Sequence, residues 1–204
     1  MTDNYSIIVE QNLQRRYADL PGDIHTRIGA QSQGDALVFR AFGQTCTFSP
    51  GSILLDHAPQ TGVLGILISL YALHATTESA VATPFRAFKE LPDSMPYAGA
   101  FAAHVEQILV PRVGAIEAAR SQICTALDGG PVPGDMGGDF GFTVWPLPKI
   151  ALCYIFYRAD EDFPAAATCL YASNARRFLP TDALADVGEY TSRAILSLAA
   201  AASA

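Results

Sequence analysis

Several stretches of the chain repeat apolar residues every three or four positions, which is the spacing of an amphipathic helix. The clearest is residues 179–200, where Thr181 can cap the first turn. A similar stripe over residues 3–20, with Asp3 as the cap, predicts an N-terminal helix. Residues 60–75 are apolar nearly all round, which is typical of a central helix covered on most sides.

Other stretches are rich in β-branched and aromatic residues and favour strands. Residues 37–42 and 45–48 flank Gly43-Gln44, which predicts a hairpin with a two-residue turn. Residues 142–146 and 149–157 are joined by a Pro-Leu-Pro bend. Because this bend is too short for a parallel crossover, we expect the two strands to pair antiparallel.

Residues 97–110 and 114–127 have the apolar spacing of two more helices, which Pro111 separates. No internal repeat, low-complexity linker or shift in composition divides the chain. The sequence therefore predicts a single α+β domain over residues 1–204, with a mainly antiparallel sheet packed with several helices and a closing C-terminal helix.

The composition of the chain mainly excludes certain classes of protein. Half of the 204 residues are apolar and 16% are charged, which is far from the signature of disorder. A formal net charge of -7 repels phosphate backbones, so we expect no nucleic-acid partner. The longest apolar run, residues 63–75, is too short to cross a bilayer, and the first residues carry acid where a secretory signal carries base. No membrane partner and a cytoplasmic location are expected.

The most conspicuous polar pattern is Asp160-Glu161-Asp162, which directly follows the apolar strand. On an extended segment Asp160 and Asp162 share one side, and together with Asp139 they could hold Mg²⁺ or Ca²⁺ or contact a ligand. The simpler interpretation is a strand that has reached solvent, with Phe163 turned back into the core. The simpler interpretation is favoured, and no metal site is predicted.

Residues 128–142 contain six glycines and two prolines, and this glycine-rich stretch includes Asp135 and Asp139. A loop of this length is usually functional or mobile, so it could cradle an anion, close over a pocket as a lid, or serve only structure. Arg86 has two interpretations as well. It could pair with Glu90 across one helical turn, or bind a carboxylate or phosphate of a ligand.

The cysteines at positions 46, 124, 153 and 169 lie far apart without any Cys-x-x-Cys pair. This spacing predicts reduced, apolar side chains and no metal or cluster, and we expect no cofactor. No motif of a nucleophile and its base is recognisable either. Arg86, Asp139, Asp160 and Asp162 are thus the candidate ligand-binding residues, and no catalytic residue is assigned.

Five segments between Gly65 and Leu196 resemble the bacterial and archaeal family named domain of unknown function 3786. They are LISLYALHA, PFRAFKELPDSMPYAGAF, GGDFGF, WPLPKIALCYIFYRADEDFPA and ASNARRFLPTDALADVGEY. Leu179-Pro180-Thr181-Asp182 matches a helix start common in the family, whereas Ala172 stands where most members have Asp. Some members resemble fusions to a cysteine-rich iron–sulfur segment of corrinoid-dependent one-carbon enzymes, and this sequence contains no such segment.

Two functions from different classes follow as expectations. The first is a ligand-binding or accessory protein, with a protein partner or a small-molecule ligand, which the resemblance links to anaerobic corrinoid or iron–sulfur one-carbon metabolism. The second is a small hydrolase or transferase that uses Asp139 with Asp160 and Asp162, with or without a metal. The absence of a recognisable catalytic motif favours the first.

Overall fold

The computed structural model describes residues 4–134 and 136–202, so the predicted cap Asp3 lies outside the described residues. The helices are α1 (Asn4–Ala18), α2 (Ile24–Ile28), α3 (Val63–His74), α4 (Ala98–Phe101), α5 (Val113–Ala118), α6 (Arg120–Ala126) and α7 (Thr181–Ala202). The strands are β1 (Gln31–Gln33), β2 (Ala36–Ala41), β3 (Gln44–Ser49), β4 (Ser52–Leu55), β5 (Ala58–Pro59), β6 (Arg86–Ala87), β7 (Phe140–Leu147), β8 (Ile150–Tyr157) and β9 (Ala166–Tyr171). Within the described ranges no helix is long and apolar enough to cross a membrane.

The first sheet is an antiparallel meander of five strands in the order β1-β2-β3-β4-β5. Phe48 of β3 stacks on Tyr17 of α1 with 5.7 Å between ring centroids. Phe39 of β2 packs against Tyr71 of α3, and the buried Tyr71 hydroxyl donates a 3.0 Å hydrogen bond to the carbonyl of Ile28 in α2. Helices α1 and α3 thus bury the aromatic side chains of this sheet, and α2 is tied to α3.

The hairpin between β2 and β3 turns one residue earlier than the sequence indicates. Phe42 and Gly43 have φ angles of 50° and 77°, and a type I′ turn needs both residues in the left-handed region. A Cβ on Gly43 would lie 2.2 Å from the Ala126 carbonyl oxygen, so only glycine fits there. Phe42 adopts this rare conformation because its ring is buried and its N–H donates a 2.7 Å bond to the Pro146 carbonyl. That bond joins the first sheet to the second.

The second sheet has four antiparallel strands in the order β6-β9-β8-β7. β7 and β8 pair antiparallel, with Phe142 opposite Tyr154, which confirms the prediction drawn from the Pro-Leu-Pro bend. β8 is buried from residue 150 to residue 156, as its continuous apolar run indicates for an inner strand. The early strands do not join this sheet. The fold is α+β, with antiparallel sheets and a closing C-terminal helix, as predicted; the single domain over residues 1–204 stays a prediction.

Helix α7 covers one face of the second sheet. The Tyr171 hydroxyl of β9 donates a 2.7 Å hydrogen bond to the Leu184 carbonyl, and the Tyr154 hydroxyl of β8 lies 3.0 Å from the Ser192 hydroxyl. Gly188 stands between these contacts, where an added Cβ would be 2.6 Å from the Tyr171 hydroxyl oxygen. A residue without a side chain is what allows the helix to approach the sheet this closely.

The opposite face of the second sheet carries a smaller apolar cluster. Ala151, Cys153 and Ile155 of β8 form its centre, and Val132 and Met136 from the glycine-rich stretch pack against it. The glycine-rich stretch therefore serves as the cover of this face, as α7 does for the other.

Two predicted helices are interrupted. The helix expected over residues 97–110 begins as α4 and continues as a π-helical turn, Ala102–Gln107, and the helix expected over 114–127 is divided between α5 and α6 at Ala119. A π-helical turn adds one residue to a turn and leaves the apolar spacing on either side unchanged, so the periodicity of the sequence does not reveal it.

Candidate functional site

The glycine loop, residues 129–141, is fixed at both ends and arches between them. At its start, Gly129 passes so close to β7 that a Cβ would lie 2.4 Å from the Thr143 carbonyl oxygen, and Gly130 exchanges two 2.9 Å backbone bonds with Thr143. At its end, Gly138 has a φ of 78°, and a Cβ there would meet Ile155 at 2.5 Å. These glycines let the backbone lie directly on the sheet, so the loop leaves and rejoins the sheet at defined points.

A cavity of about 490 Å³ lies between this loop, α6 and the start of β7. The residues that line it include several glycines of the loop together with Val132, Met136, Phe140 and Phe142. Pockets that bind small molecules usually measure about 300–1,000 Å³, with mostly apolar walls and a few polar groups. The cavity has this size and this kind of lining.

Helix α6 contributes the polar wall of the cavity through Arg120, Ser121 and Cys124. Burial raises the pKa of the Cys124 thiol, and the positive charge of Arg120 opposes that rise. Arg120 is exposed and forms no ion pair with a carboxylate in residues 4–134 or 136–202. The Cys124 thiol lies 3.9 Å from the Gly130 carbonyl oxygen as a weak donor. A half-buried cysteine and an arginine without an acid partner thus line the same cavity.

Asp139, one of the predicted ligand residues, lines the cavity but is already engaged. Its Oδ2 accepts a 2.6 Å hydrogen bond from the Arg158 backbone N–H, and its Oδ1 lies 3.8 Å from the Arg158 guanidinium. The same guanidinium forms a two-point hydrogen bond with the Glu117 carboxylate of α5, which lowers the pKa of Glu117. Arg158 thereby ties α5 and the glycine loop to the end of β8. Asp135 lies outside the described residues.

The three consecutive acids form a solvated turn between β8 and β9. Asp160 Oδ1 accepts hydrogen bonds from the backbone N–H groups of Asp162 at 2.9 Å and Phe163 at 2.7 Å, and the Phe163 carbonyl accepts one from Asp160 N–H at 2.9 Å. Phe163 is 70% exposed, so the expectation that it turns back into the core is wrong. The physical reason is that Asp160, by capping the turn, closes it without any need for an apolar anchor. A ligand role for Asp160 and Asp162 stays a prediction.

Arg86 is not brought together with the acids. It pairs with Tyr171 on β6, and β9 and β8 separate β6 from β7, where Asp139 lies. With strands spaced about 4.8 Å apart, the two edges are about 14 Å apart before any offset along the strands. Arg86 and Asp139 therefore lie at opposite edges of the second sheet, and a ligand role for Arg86 stays a prediction. Nor does Arg86 pair with Glu90, whose carboxylate accepts the Ala87 N–H at 3.2 Å.

Glu106 is a site residue that sequence analysis missed. It stands on the π-helical turn beside a cavity of about 290 Å³, and its Oε1 accepts a 3.0 Å hydrogen bond from the Cys169 N–H of β9. Burial raises the pKa of this carboxyl group. β6 pairs only with residues 170 and 171 of β9, so Glu106 satisfies the next outward N–H of that strand. Its role is to complete the backbone hydrogen bonding of β9.

Neither cavity contains an obvious metal site. No group of three or more His, Cys, Asp and Glu side chains is arranged to hold a metal ion in the part of the chain that the structure describes. All four cysteines are free thiols; three are buried and Cys124 is half-buried. The polar side chains that line the 490 Å³ cavity are those of Arg120, Ser121, Cys124 and Asp139.

Comparison with known proteins gives a family and no activity. The family model described as "Domain of unknown function (DUF3786)" matches residues 21–194. No curated protein and no solved structure matches the chain significantly. Because the family model spans most of the sequence, the resemblance seen in the sequence is confirmed, and the protein belongs to the DUF3786 family.

Proposed function

We propose that the protein binds a small molecule in the cavity between α6 and the glycine loop, as a ligand-binding or accessory protein. The observation that carries this proposal is the cavity itself: about 490 Å³ of space with apolar walls and a polar wall on one side. A loop that served only to cover the sheet would be expected to pack against α6 and leave less space.

The construction of the loop supports the same function. Its ends are fixed to β7 and β8 at Gly129 and Gly138, where any side chain would collide with the sheet. The arch between them carries Gly134 and Gly137 at φ angles of 67° and 75°, so its path depends on glycine as well. A rim that is fixed to the sheet at two points suits a site that admits a ligand without disturbing the sheet.

The state of the carboxylates favours binding over carboxylate-based catalysis. Asp139 accepts a backbone N–H and lies beside Arg158, and Asp160 accepts two backbone N–H groups within its own turn. Carboxylates held in this way serve as structural acceptors, whereas a general base has to reach a substrate proton. A link to corrinoid or iron–sulfur one-carbon metabolism, and a protein partner, stay predictions from the family resemblance.

The test compares two tryptophan variants on neighbouring positions of α6. Ser121 lines the cavity and Gln122 does not, and both are exposed. Ser121→Trp should fill the cavity, while Gln122→Trp adds the same side chain to the outer surface. Ligand-observed NMR with a library of small organic acids, amides and alcohols should detect compounds that bind the wild-type protein and Gln122→Trp but not Ser121→Trp. Equal binding to all three proteins, or no binding to any of them, contradicts the proposal.

A further inference from the structure

We infer that the ligand of this cavity is an organic anion whose carboxylate or phosphate group binds Arg120. This inference rests on the proposed function, because it names the chemical class that the same cavity selects. It depends on the charges around the cavity, on the groups that already neutralise them, and on the apolar walls.

Most arginines of the chain are already matched by an acid. Six form ion pairs with Asp or Glu side chains among the described residues: Arg27, Arg40, Arg158, Arg176, Arg177 and Arg193. Arg120 is one of five arginines, with Arg15, Arg16, Arg86 and Arg112, that form no such pair within the described ranges, although the protein carries a net charge of -7. It is also the arginine that lines the 490 Å³ cavity.

The acids nearest to Arg120 are taken by another residue. Glu117 lies three positions before Arg120, yet its carboxylate accepts hydrogen bonds from Nε and Nη2 of Arg158. The lowering of the Glu117 pKa comes first from that hydrogen bond, and the charge of Arg120 contributes less. Asp139, which shares the cavity wall with Arg120, also faces Arg158. Arg158 therefore occupies both neighbouring carboxylates and leaves the Arg120 guanidinium available.

The geometry of the arginine side chain indicates which chemical group Arg120 would bind. A guanidinium presents its N–H donors in a planar fork that matches the two oxygens of a carboxylate or phosphate, and Ser121 adds a hydroxyl on the same wall. The walls formed by Val132, Met136 and Phe140 would receive an apolar body attached to the anionic group. Among the described residues, Glu117 and Asp139 balance the charges of Arg120 and Arg158, so direct contact with the guanidinium fork has to provide the selectivity.

The experiment compares anionic probes with neutral compounds that share the same aromatic ring. Benzoate is paired with benzamide and phenyl phosphate with phenol, and dissociation constants are measured by NMR titration of the full chain. We expect at least one anion to bind, its neutral counterpart to bind more weakly, and Arg120→Ala to weaken the anion by about tenfold or more. Arg120→Lys should restore only part of the affinity, since an ammonium lacks the planar fork. The carboxylate and phosphate arms show which anionic group is preferred.

Arg86→Ala is the matched control. Arg86 is exposed, lies on β6 at the far edge of the second sheet and lines no part of this cavity. Its variant should change the affinity by no more than about twofold. If the neutral probes bind as well as the anions and Ser121→Trp blocks them while Arg120→Ala does not, the cavity is a binding site and the inference about anions is wrong. If none of the four probes binds, the anion inference is likewise overturned, and the library screen of the tryptophan variants decides the cavity separately.

Discussion

Replacement of Gly188 by alanine should destabilise the protein, although the same change usually stabilises a helix. Within a helix, alanine is favoured over glycine by about 0.5–1 kcal/mol, because glycine loses more backbone entropy on folding. At position 188 the new Cβ would lie 2.6 Å from the Tyr171 hydroxyl oxygen and 3.0 Å from a ring carbon of Phe101. Overpacking of this kind costs about 1–3 kcal/mol. The expected net effect of Gly188→Ala is a loss of about 1 kcal/mol in the free energy of unfolding.

The Tyr171 hydroxyl is the obstacle that this argument identifies, and it cannot easily move. It donates a 2.7 Å hydrogen bond to the Leu184 carbonyl, and its ring packs against Phe88 and Phe101 with centroids about 6.0 and 5.9 Å away. Tyr171→Phe alone should cost about 1 kcal/mol, because one buried hydrogen bond is lost. In the Tyr171→Phe background, Gly188→Ala should lower the free energy of unfolding by less than it does in the wild-type protein. The loss in the double variant should therefore be about 1 kcal/mol smaller than the sum of the two single losses.

Urea denaturation followed by circular dichroism gives the free energy of unfolding for the four members of this cycle. Gly114→Ala is the control, because Gly114 lies in α5 and an added Cβ there has nothing within 4 Å. That variant should gain about 0.5–1 kcal/mol. The reasoning is refuted if Gly188→Ala is stabilised as much as Gly114→Ala, or if the two changes at positions 171 and 188 prove additive.

Three further predictions concern single side chains. Burial raises the pKa of Glu106, so this group favours folding below its unfolded pKa of about 4.3 and loses that contribution as the pH rises through its folded value. Glu106→Gln keeps an acceptor for the strand N–H. Its free energy of unfolding should match that of the wild-type protein at about pH 4 and exceed it at pH 7. A variant that is less stable than the wild-type protein at pH 7 contradicts this prediction. Asp160→Ala should lower the free energy of unfolding, measured by urea denaturation, by about 1 kcal/mol because the Asp160 carboxylate accepts two backbone N–H groups. The neighbouring Glu161→Ala should change it by no more than about 0.5 kcal/mol. Equal effects of the two variants would exclude the turn-capping role. Maleimide labelling of the native protein, mapped by peptide mass spectrometry, should modify Cys124 first, because it is half-buried in the cavity wall and the other three cysteines are buried; earlier labelling of any other cysteine contradicts the structure.

Local patterns in the sequence were sufficient for much of the fold. The stripe that predicts a helix over residues 179–200 corresponds to α7, and the apolar run at 60–75 contains α3. The Pro-Leu-Pro bend predicts the antiparallel pairing of β7 and β8 because a short connection allows no other geometry. In each case the determining interactions lie within a few residues of one another, so the sequence displays them.

The order of strands was beyond this kind of argument. The sequence indicates Arg86 and Asp139 only as charged candidate ligand residues, whereas β6 and β7 form opposite edges of the second sheet. Similarly, Arg158 was not singled out, because its partner Glu117 lies 41 residues earlier in the chain. Tertiary packing determines both the strand order and the contact between Arg158 and Glu117. Neither the spacing of apolar residues nor a local motif carries information about them. Phe42 shows the same limit, since a distant carbonyl holds it in a conformation that its own side chain disfavours.

The Glu106 contact has a consequence for self-association. An open strand edge is a template on which a second chain can add its own strand, and β9 has such an edge beyond the two residues of β6. The π-helical turn lies over this edge, and an incoming strand would have to displace it and leave the partly buried Glu106 carboxylate without its N–H partner. The charge that lowers the stability of a single molecule at neutral pH thus opposes edge-to-edge aggregation and strand exchange between molecules.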